Sequence, residues 1–311
     1  MSDPNVGLVK IMSFAKEQAA VLALTKATPG PWHHTSRIIQ ASRSALRLME
    51  GDFSGLDEDG LTHAAAVVSR IQPGDLARAE ALITEMRAQD VHLVTVLEQE
   101  YPCNLEFTYN FPPFLWTRGQ FMSDDRRSIA VAGEGKQVLD RARHAARAVA
   151  EAGFTVVAGI SSEIESAIHR SVLAVGGRSI ATLTHGITAP MDSPPNATVA
   201  KEIARAGVLV SRFWPTAEPT AAAISLSRIV TTGLAAAVFI LNGEEGSGAA
   251  MQAEIALNHG KHVFVPHSLH QEQLWVRRLA YRGGITVVKG IDDLLIEAVN
   301  LVDVTRQPTR F

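Results

Sequence analysis

Cysteine occurs once in these 311 residues, as Cys103. A single thiol excludes an intrachain disulfide and any cysteine-based structural metal site. It stands in Tyr101-Pro-Cys-Asn104 with no activating group beside it and reads as a bystander rather than a nucleophile. Long apolar runs are missing too. No stretch approaches the roughly 18 to 20 residues that a membrane span needs, and Met1-Ser-Asp-Pro-Asn5 has no basic start leading into an apolar block. The expectation is a cytoplasmic protein with no membrane partner. An excess of positive charge is also lacking: the net charge is −3, so the chain as a whole is not a basic nucleic-acid binder. Residues 1–125 hold 10 Lys and Arg against 16 Asp and Glu, whereas residues 126–311 hold 19 against 16, which places the positive balance in the second part. The histidines show no metal-ligand spacing, and there is neither a nucleophile elbow nor a carboxylate pair spaced for acid and base roles. No catalytic residue, metal or cofactor is assigned on these grounds.

What is present is an ordinary globular composition, 46% hydrophobic and 20% charged, with length for one large domain and a smaller companion. Residues 1–90 read as a helical domain of four or five helices. Val21-Leu-Ala-Leu24, Ala45-Leu-Arg-Leu48 and Ala81-Leu-Ile-Thr-Glu-Met86 supply apolar positions three and four apart. Thr28-Pro-Gly-Pro31 and Gln72-Pro-Gly-Asp75 break the pattern, with Asp75 as a candidate N-cap. Residues 91–125 read as an extended connector joining the sheet, stiffened by Pro112 and Pro113.

In residues 126–302 strands and helices alternate. Strands are predicted near 129–132, 154–158, 179–184, 208–213, 237–241, 262–266 and 285–288. Helices are predicted near 137–152, 163–175, 196–206, 219–234, 248–259, 272–282 and 291–302. This alternation calls for an α/β fold, a doubly wound, mostly parallel sheet with helices on both faces, preceded by the small all-helical domain. Residues 303–311 read as a frayed tail.

Three loops lie where a strand hands over to a helix, the places where such a sheet exposes unpaired N–H groups to an anion. Gly133 and Gly135 follow the first strand, with Lys136 as a point charge. Val138 stands where a full G-x-G-x-x-G would have its third glycine, and Glu134 would repel an anion. A tight turn with nothing bound is the alternative. The second loop, Ala158-Gly159-Ile-Ser161-Ser162, opens a helix capped by Ser161 or Ser162, with Glu165 as half of a capping box; it is either a plain cap or a phosphate cradle. His169 falls two turns in, where it packs or caps more often than it catalyses. Gly243-Glu-Glu-Gly-Ser247-Gly248 is the best candidate, because Gly-Ser-Gly before a helix presents several N–H donors. Arg212, Arg228, Arg277, Arg278 and Arg282 are candidates for the same edge, and Phe213 and Trp214 for base stacking, against the plainer readings of solvated arginines and core aromatics.

The order of these pieces resembles the DNA-processing protein A family (DprA, also called Smf), a Rossmann-like branch of the SLOG group. The likeness runs from Val91 to Leu295. Tyr101-Pro with Pro112-Pro-Phe-Leu-Trp-Thr-Arg-Gly119 resembles the family's Tyr-Pro…Pro-Pro-x-Leu-x-x-x-Gly entrance, and Val157–His169 its Ser-Gly-Leu-Ala-x-Gly-Ile-Asp-x-x-Ala-His segment. Ser247-Gly248, Ala253, Ala256 and Val263-Phe-Val-Pro266 resemble its Ser-Gly-Ser-x-x-Thr-Ala…Val-Phe-Ala-Val-Pro-Gly ending. The resemblance implies a Rossmann-like domain and a non-catalytic protein of DNA uptake and recombination. Such a protein binds single-stranded DNA, acts as a homodimer and hands the strand to a RecA-type recombinase. Its binding residues would be Gly133, Gly135, Lys136, Gly159, Ser161, Ser162, Arg212, Arg228, Ser247 and Gly248. The departures fall on the site. Gly133-Glu134-Gly135 replaces Gly-Ser-Arg, Arg212 stands where a Glu would be usual, and Arg228 and Arg277 stand at asparagine positions. A second reading is a SLOG-type nucleotide sensor or nucleotide-cleaving enzyme. Asn242-Gly-Glu-Glu245 then replaces the prolyl-diglycine of the phosphoribohydrolases, and Glu254 is the nearest acid on the following helix. A third is a scaffold that binds a partner through the helical domain.

Overall fold

The computed structural model describes the backbone of residues 4–304 apart from Asp192, and the side chains of residues 14–302 apart from the same residue. The tail expected at 303–311 lies, beyond Val304, outside the described residues. The chain divides into two compact units, residues 1–101 with 109–118, and residues 102–108 with 119–311.

The first unit contains helices α1 (Pro4–Ala27), α2 (Trp32–Ser42), α3 (Ala45–Met49), α4 (Glu58–Val68) and α5 (Asp75–Ala88). Residues Ala19 to Leu24 of α1 are all at most 1% exposed, so this stretch is surrounded on every side rather than along one stripe. Strand β1 (His92–Thr95) pairs antiparallel with β2 (Phe114–Gly119), His92 opposite Thr117 and Thr95 opposite Phe114. Asp75 is not the N-cap of α5. Gly74 takes that position in a left-handed conformation (φ 84°), and Asp75 opens the helix itself. Its carboxylate accepts from the Gln72 N–H at 2.8 Å and pairs with Lys26 and Arg78 at 3.0 and 2.9 Å. These bonds pull its pKa down to about 2, the Gln72 N–H contributing most.

The second unit opens with a short helix α6 (Cys103–Glu106), inside the segment expected to be extended, and continues as repeated strand–helix units. In chain order these are β3 (Ser128–Ala132), α7 (Leu139–Glu151), β4 (Thr155–Gly159), α8 (Glu163–Leu173), β5 (Ser179–Thr182), α9 (Pro194–Ala206), β6 (Val208–Ser211), α10 (Ala221–Leu234), β7 (Ala237–Ile240), α11 (Gly248–Asn258), β8 (His262–Pro266), α12 (His267–Glu272), α13 (Leu274–Ala280), β9 (Ile285–Val288) and α14 (Ile291–Val304). The seven strands are parallel in the order β6-β5-β4-β3-β7-β8-β9. Central strands are buried throughout because helices cover both faces; Ile129, Val131, Val156, Ala158, Ala237 and Phe239 pack on Ala142, Ala146, Ile164 and Ile168 of α7 and α8. The helix expected at 272–282 is the shorter α13, and an additional helix not expected from the sequence, α12, precedes it across Gln273, which is extended (φ −109°, ψ 117°). Two strands, β5 and β6, stop two residues short of their expected ends.

The chain winds outward from β3 in both directions, through β4, β5 and β6 on one side and β7, β8 and β9 on the other. The switch point is therefore the β3/β7 pair, and the loops leaving these strands diverge to open a crevice at their carboxyl ends.

Candidate nucleic-acid interface

At that switch point lies a cleft of about 300 Å³. Its walls are the three loops singled out from the sequence: Gly133, Gly135 and Lys136 after β3, Gly159, Ser161 and Ser162 after β4, and Gly248 at the start of α11. Arg228, from α10, completes it. Ser247 sits beside Gly248 as the N-cap of α11 and accepts from the Ala250 N–H at 3.1 Å.

The backbone of the first and third loops is tied by one side chain. Asn242 accepts from the Glu134 N–H through Oδ1 at 2.8 Å and donates through Nδ2 to the Glu134 carbonyl at 2.8 Å. A side-chain amide thus copies the two-bond pattern of a strand pair just beyond the point where β3 and β7 part. Trp275 holds the far side of the third loop, donating from Nε1 to the Gly243 carbonyl at 3.1 Å.

Two of the helix N-termini facing the cleft are engaged by the chain's own carboxylates. Glu165 Oε2 accepts from the N–H groups of Ser161 and Ser162 at 2.8 and 2.9 Å and from Ser161 Oγ at 3.0 Å. Ser162 Oγ in turn accepts from the Glu165 N–H, which closes the capping box. Across the cleft, Glu134 Oε1 accepts from the Ala249 N–H at 3.0 Å, in the first turn of α11. Both positions favour an anion because the helix dipole points its positive end there; here the anion is a glutamate. Glycine makes these approaches possible. A Cβ on Gly159 would collide with the Glu165 carboxylate, and one on Gly248 with the Arg228 guanidinium and the Glu134 carboxylate. Replacing Ser162 by alanine is expected to lower stability by about 1 kcal/mol, the ordinary cost of a lost N-cap, read as a shift in the denaturant midpoint.

The charges lining the cleft are Glu134, Glu163 and Glu165 against Lys136 and Arg228. Lys136 is 89% exposed and reaches Glu163 at 3.7 Å. One wall residue went unnoticed in the sequence. Gln252 is 7% exposed and lines the cleft, and its Nε2 has no hydrogen-bond partner among the described residues. The signal was available in its spacing: Gln252 follows Gly248 by four, one turn along α11 on the same face.

Behind the wall, His169 is fully buried. Its Nδ1 meets Ser179 Oγ at 2.6 Å and its Nε2 the Gly159 carbonyl at 2.7 Å. Burial lowers its pKa to about 4 against the opposing pull of the Gly159 carbonyl and Glu165. It is a neutral strut that fixes the carbonyl from which the second loop departs.

Other candidates fall elsewhere. Arg212 does not close the cleft; it is 6% exposed, one residue past β6, and is not part of the cleft wall. Phe213 and Trp214 beside it are half-buried and do not line the cleft either. Arg278 pairs with Glu245 on the surface, and Arg277 donates to the carbonyls of His270 and Gln271. Arg282 lies at the opposite ends of the strands. Glu254 is exposed on α11 and does not line the cleft. Among the described residues no group of three His, Cys, Asp or Glu side chains is placed to hold a metal ion, and no helix is long and apolar enough to cross a membrane.

A parallel sheet with helices on both faces and its polar loops gathered at the switch point defines a doubly wound α/β protein with a ligand cleft at the strands' carboxyl ends. Residues 92–299 match the sequence profile of the DNA recombination-mediator protein A family, and the chain belongs to that family. It is 26% identical over 196 residues to DNA processing protein DprA of Bacillus subtilis, an alignment covering 60% of this chain and 65% of that protein. Across the curated relatives that it matches, the chain spans 47–65% of their length. Among solved structures, DprA from Streptococcus pneumoniae superposes with a TM-score of 0.60 at 20% identity, over 86% of this chain and 96% of that one. DNA processing protein A from Helicobacter pylori, described in a single-stranded DNA binding mode, gives 0.57 at 18% identity over 67% and 96%. The fold is the one these proteins share.

Proposed function

We propose that this chain is a non-catalytic binder of single-stranded DNA in recombination, with the switch-point cleft as its contact. The observation that carries the reading is the convergence of Lys136, Arg228, Ser161, Ser162 and Gly248 from four separate segments on one cleft, in a member of a DNA recombination-mediator family. Lys136 and Arg228 offer the charge for phosphates, and Arg228 a planar fork. The helix N-termini join only when Glu134 or Glu165 turns away. A cytoplasmic setting, a homodimer and delivery of the strand to a RecA-type recombinase belong to the same proposal.

The test is fluorescence anisotropy of a short labelled oligothymidylate titrated over a range of salt. Affinity is expected to fall linearly with salt on logarithmic axes as counterions are released. Substituting Lys136→Ala with Arg228→Ala should weaken binding about five-fold and flatten the salt slope by about one to two. No association at low salt overturns the reading.

Gln252 favours a second reading, a nucleotide in the same cleft. A buried amide donor with carboxylates opposite suits the hydroxyls and base of one nucleoside, and about 300 Å³ is at the small end of ligand pockets. The position of Glu254 outside the cleft favours binding over cleavage. Equilibrium dialysis with nucleoside monophosphates, against Gln252→Leu, separates this reading from the first.

A further inference from the structure

A larger cavity, about 950 Å³, opens at the other end of the sheet. Arg126 precedes β3, Ala236 precedes β7, Gly260 and Lys261 precede β8, and Gly283 and Gly284 precede β9. Because these strands are parallel, all of them gather at the amino ends, away from the switch-point cleft. Its lining differs in kind from the cleft. Arg126, Lys261, Arg282, His259 and His262 contribute to it, and among the described residues no aspartate or glutamate lines it. In a chain of net charge −3 that is a local reversal of sign.

The cations divide into two groups. Lys261 belongs to the floor: its ammonium donates to the carbonyls of Asn104 and Gly233, both at 2.9 Å, and to that of Ala235, closing the carboxyl end of α10. Burial holds its pKa down at about 8. Arg126 and Arg282 stand exposed at the rim, where Arg282 keeps one bond, to Asn258 Oδ1 at 3.2 Å. Phe107, also on the rim, is 84% exposed. An aromatic ring left in solvent on the same cavity as two guanidinium groups, with no acid among its described lining residues, is the combination that takes a nucleic-acid strand: bases stack on the ring and phosphates lie against the arginines.

We propose that this basic cavity is a second contact for single-stranded nucleic acid, at the opposite end of the sheet from the cleft. Phe107 stacks a base, and Arg126 and Arg282 hold the flanking phosphates. A strand running over both sites passes from one end of the sheet to the other, and the cation pair at each end, Lys136 with Arg228 and Arg126 with Arg282, contributes to the salt dependence.

Cys103 lines the same cavity, is exposed and is the chain's single cysteine, so its alkylation rate reports occupancy. The experiment measures maleimide modification of the intact protein with and without saturating oligothymidylate, alongside anisotropy. Protection of Cys103 is expected, and so is an about five-fold weaker affinity with a lower salt slope in Arg126→Ser with Arg282→Ser. Phe107→Ala should weaken binding with little change in that slope. Cys103 modified at its free rate while the oligonucleotide is bound overturns the proposal and leaves the cleft reading intact. Protection that survives the double arginine substitution with unchanged affinity also overturns it. Protection together with full affinity in the Lys136→Ala, Arg228→Ala protein supports the cavity and removes the cleft instead. No binding of the oligonucleotide overturns both.

Discussion

Replacing Glu134 by serine is expected to strengthen binding of a single-stranded oligonucleotide about ten- to hundred-fold. Glu134 accepts the Ala249 N–H and presents its carboxylate where a phosphate would seek the same donor. An incoming strand must break a charge-assisted bond, worth about 1.5 to 3 kcal/mol, and tolerate a like charge in the cleft. Serine removes both. It also leaves the Asn242 clamp in place, since Asn242 holds the backbone of residue 134 and not its side chain. Ser247 continues to cap α11, so the cost in stability should stay below about 1 kcal/mol. Anisotropy at fixed salt decides the matter, with Glu134→Gln as the variant that discharges the group while keeping its shape. Affinity unchanged in both variants would mean that the α11 N-terminus takes no part in binding.

The second large effect concerns pH. His169 is held neutral, its pKa lowered to about 4, whereas an unfolded chain has a histidine near about 6.5. Between those values the unfolded chain binds the extra proton, so stability is complete above about pH 6.5 and is lost as pH falls toward about 4. Spread over that window the loss is roughly 3 kcal/mol from this one side chain. His259, whose pKa burial also lowers to about 4, adds to the loss in the same direction. In His169→Phe the dependence on pH should flatten. The same variant should be less stable at neutral pH by about 1 to 3 kcal/mol, because the Gly159 carbonyl and Ser179 Oγ lose their shared partner. Denaturant midpoints for both proteins across this range give the comparison, and parallel curves would exonerate His169.

Much of the second unit was legible in the sequence because its signals are local. Each of the seven parallel strands is a short apolar run ending in a polar loop, and each of the three glycine loops does lie at the carboxyl end of a strand. The Ser162–Glu165 capping box was readable for the same reason, since its partners are three residues apart. The Glu134–Ala249 bond was not, because its partners are 115 residues apart and only the pairing of β3 with β7 brings them together. From sequence Glu134 was a charge that repels a ligand; in the fold its carboxylate occupies the α11 N-terminus, accepting from the Ala249 N–H. Arg282 is a different kind of miss. A residue that precedes a parallel strand lies at the end opposite to one that follows it, so its position before β9 already assigned it to the amino-terminal side. The break between α12 and α13 had no marker, as Gln273 is neither glycine nor proline. Gly74 took the cap from Asp75 because a left-handed residue was needed at that turn.

The amide of Asn242 bears on time as well as on shape. With the loop backbone clamped on both sides of residue 134, vacating the α11 N-terminus takes only rotation about the bonds of one side chain. Rotamer exchange at a partly exposed site runs in picoseconds to nanoseconds, far faster than rearrangement of a loop. For the strand binding proposed above, Glu134 would then be a fast gate, and encounter rather than its opening would set the pace of capture.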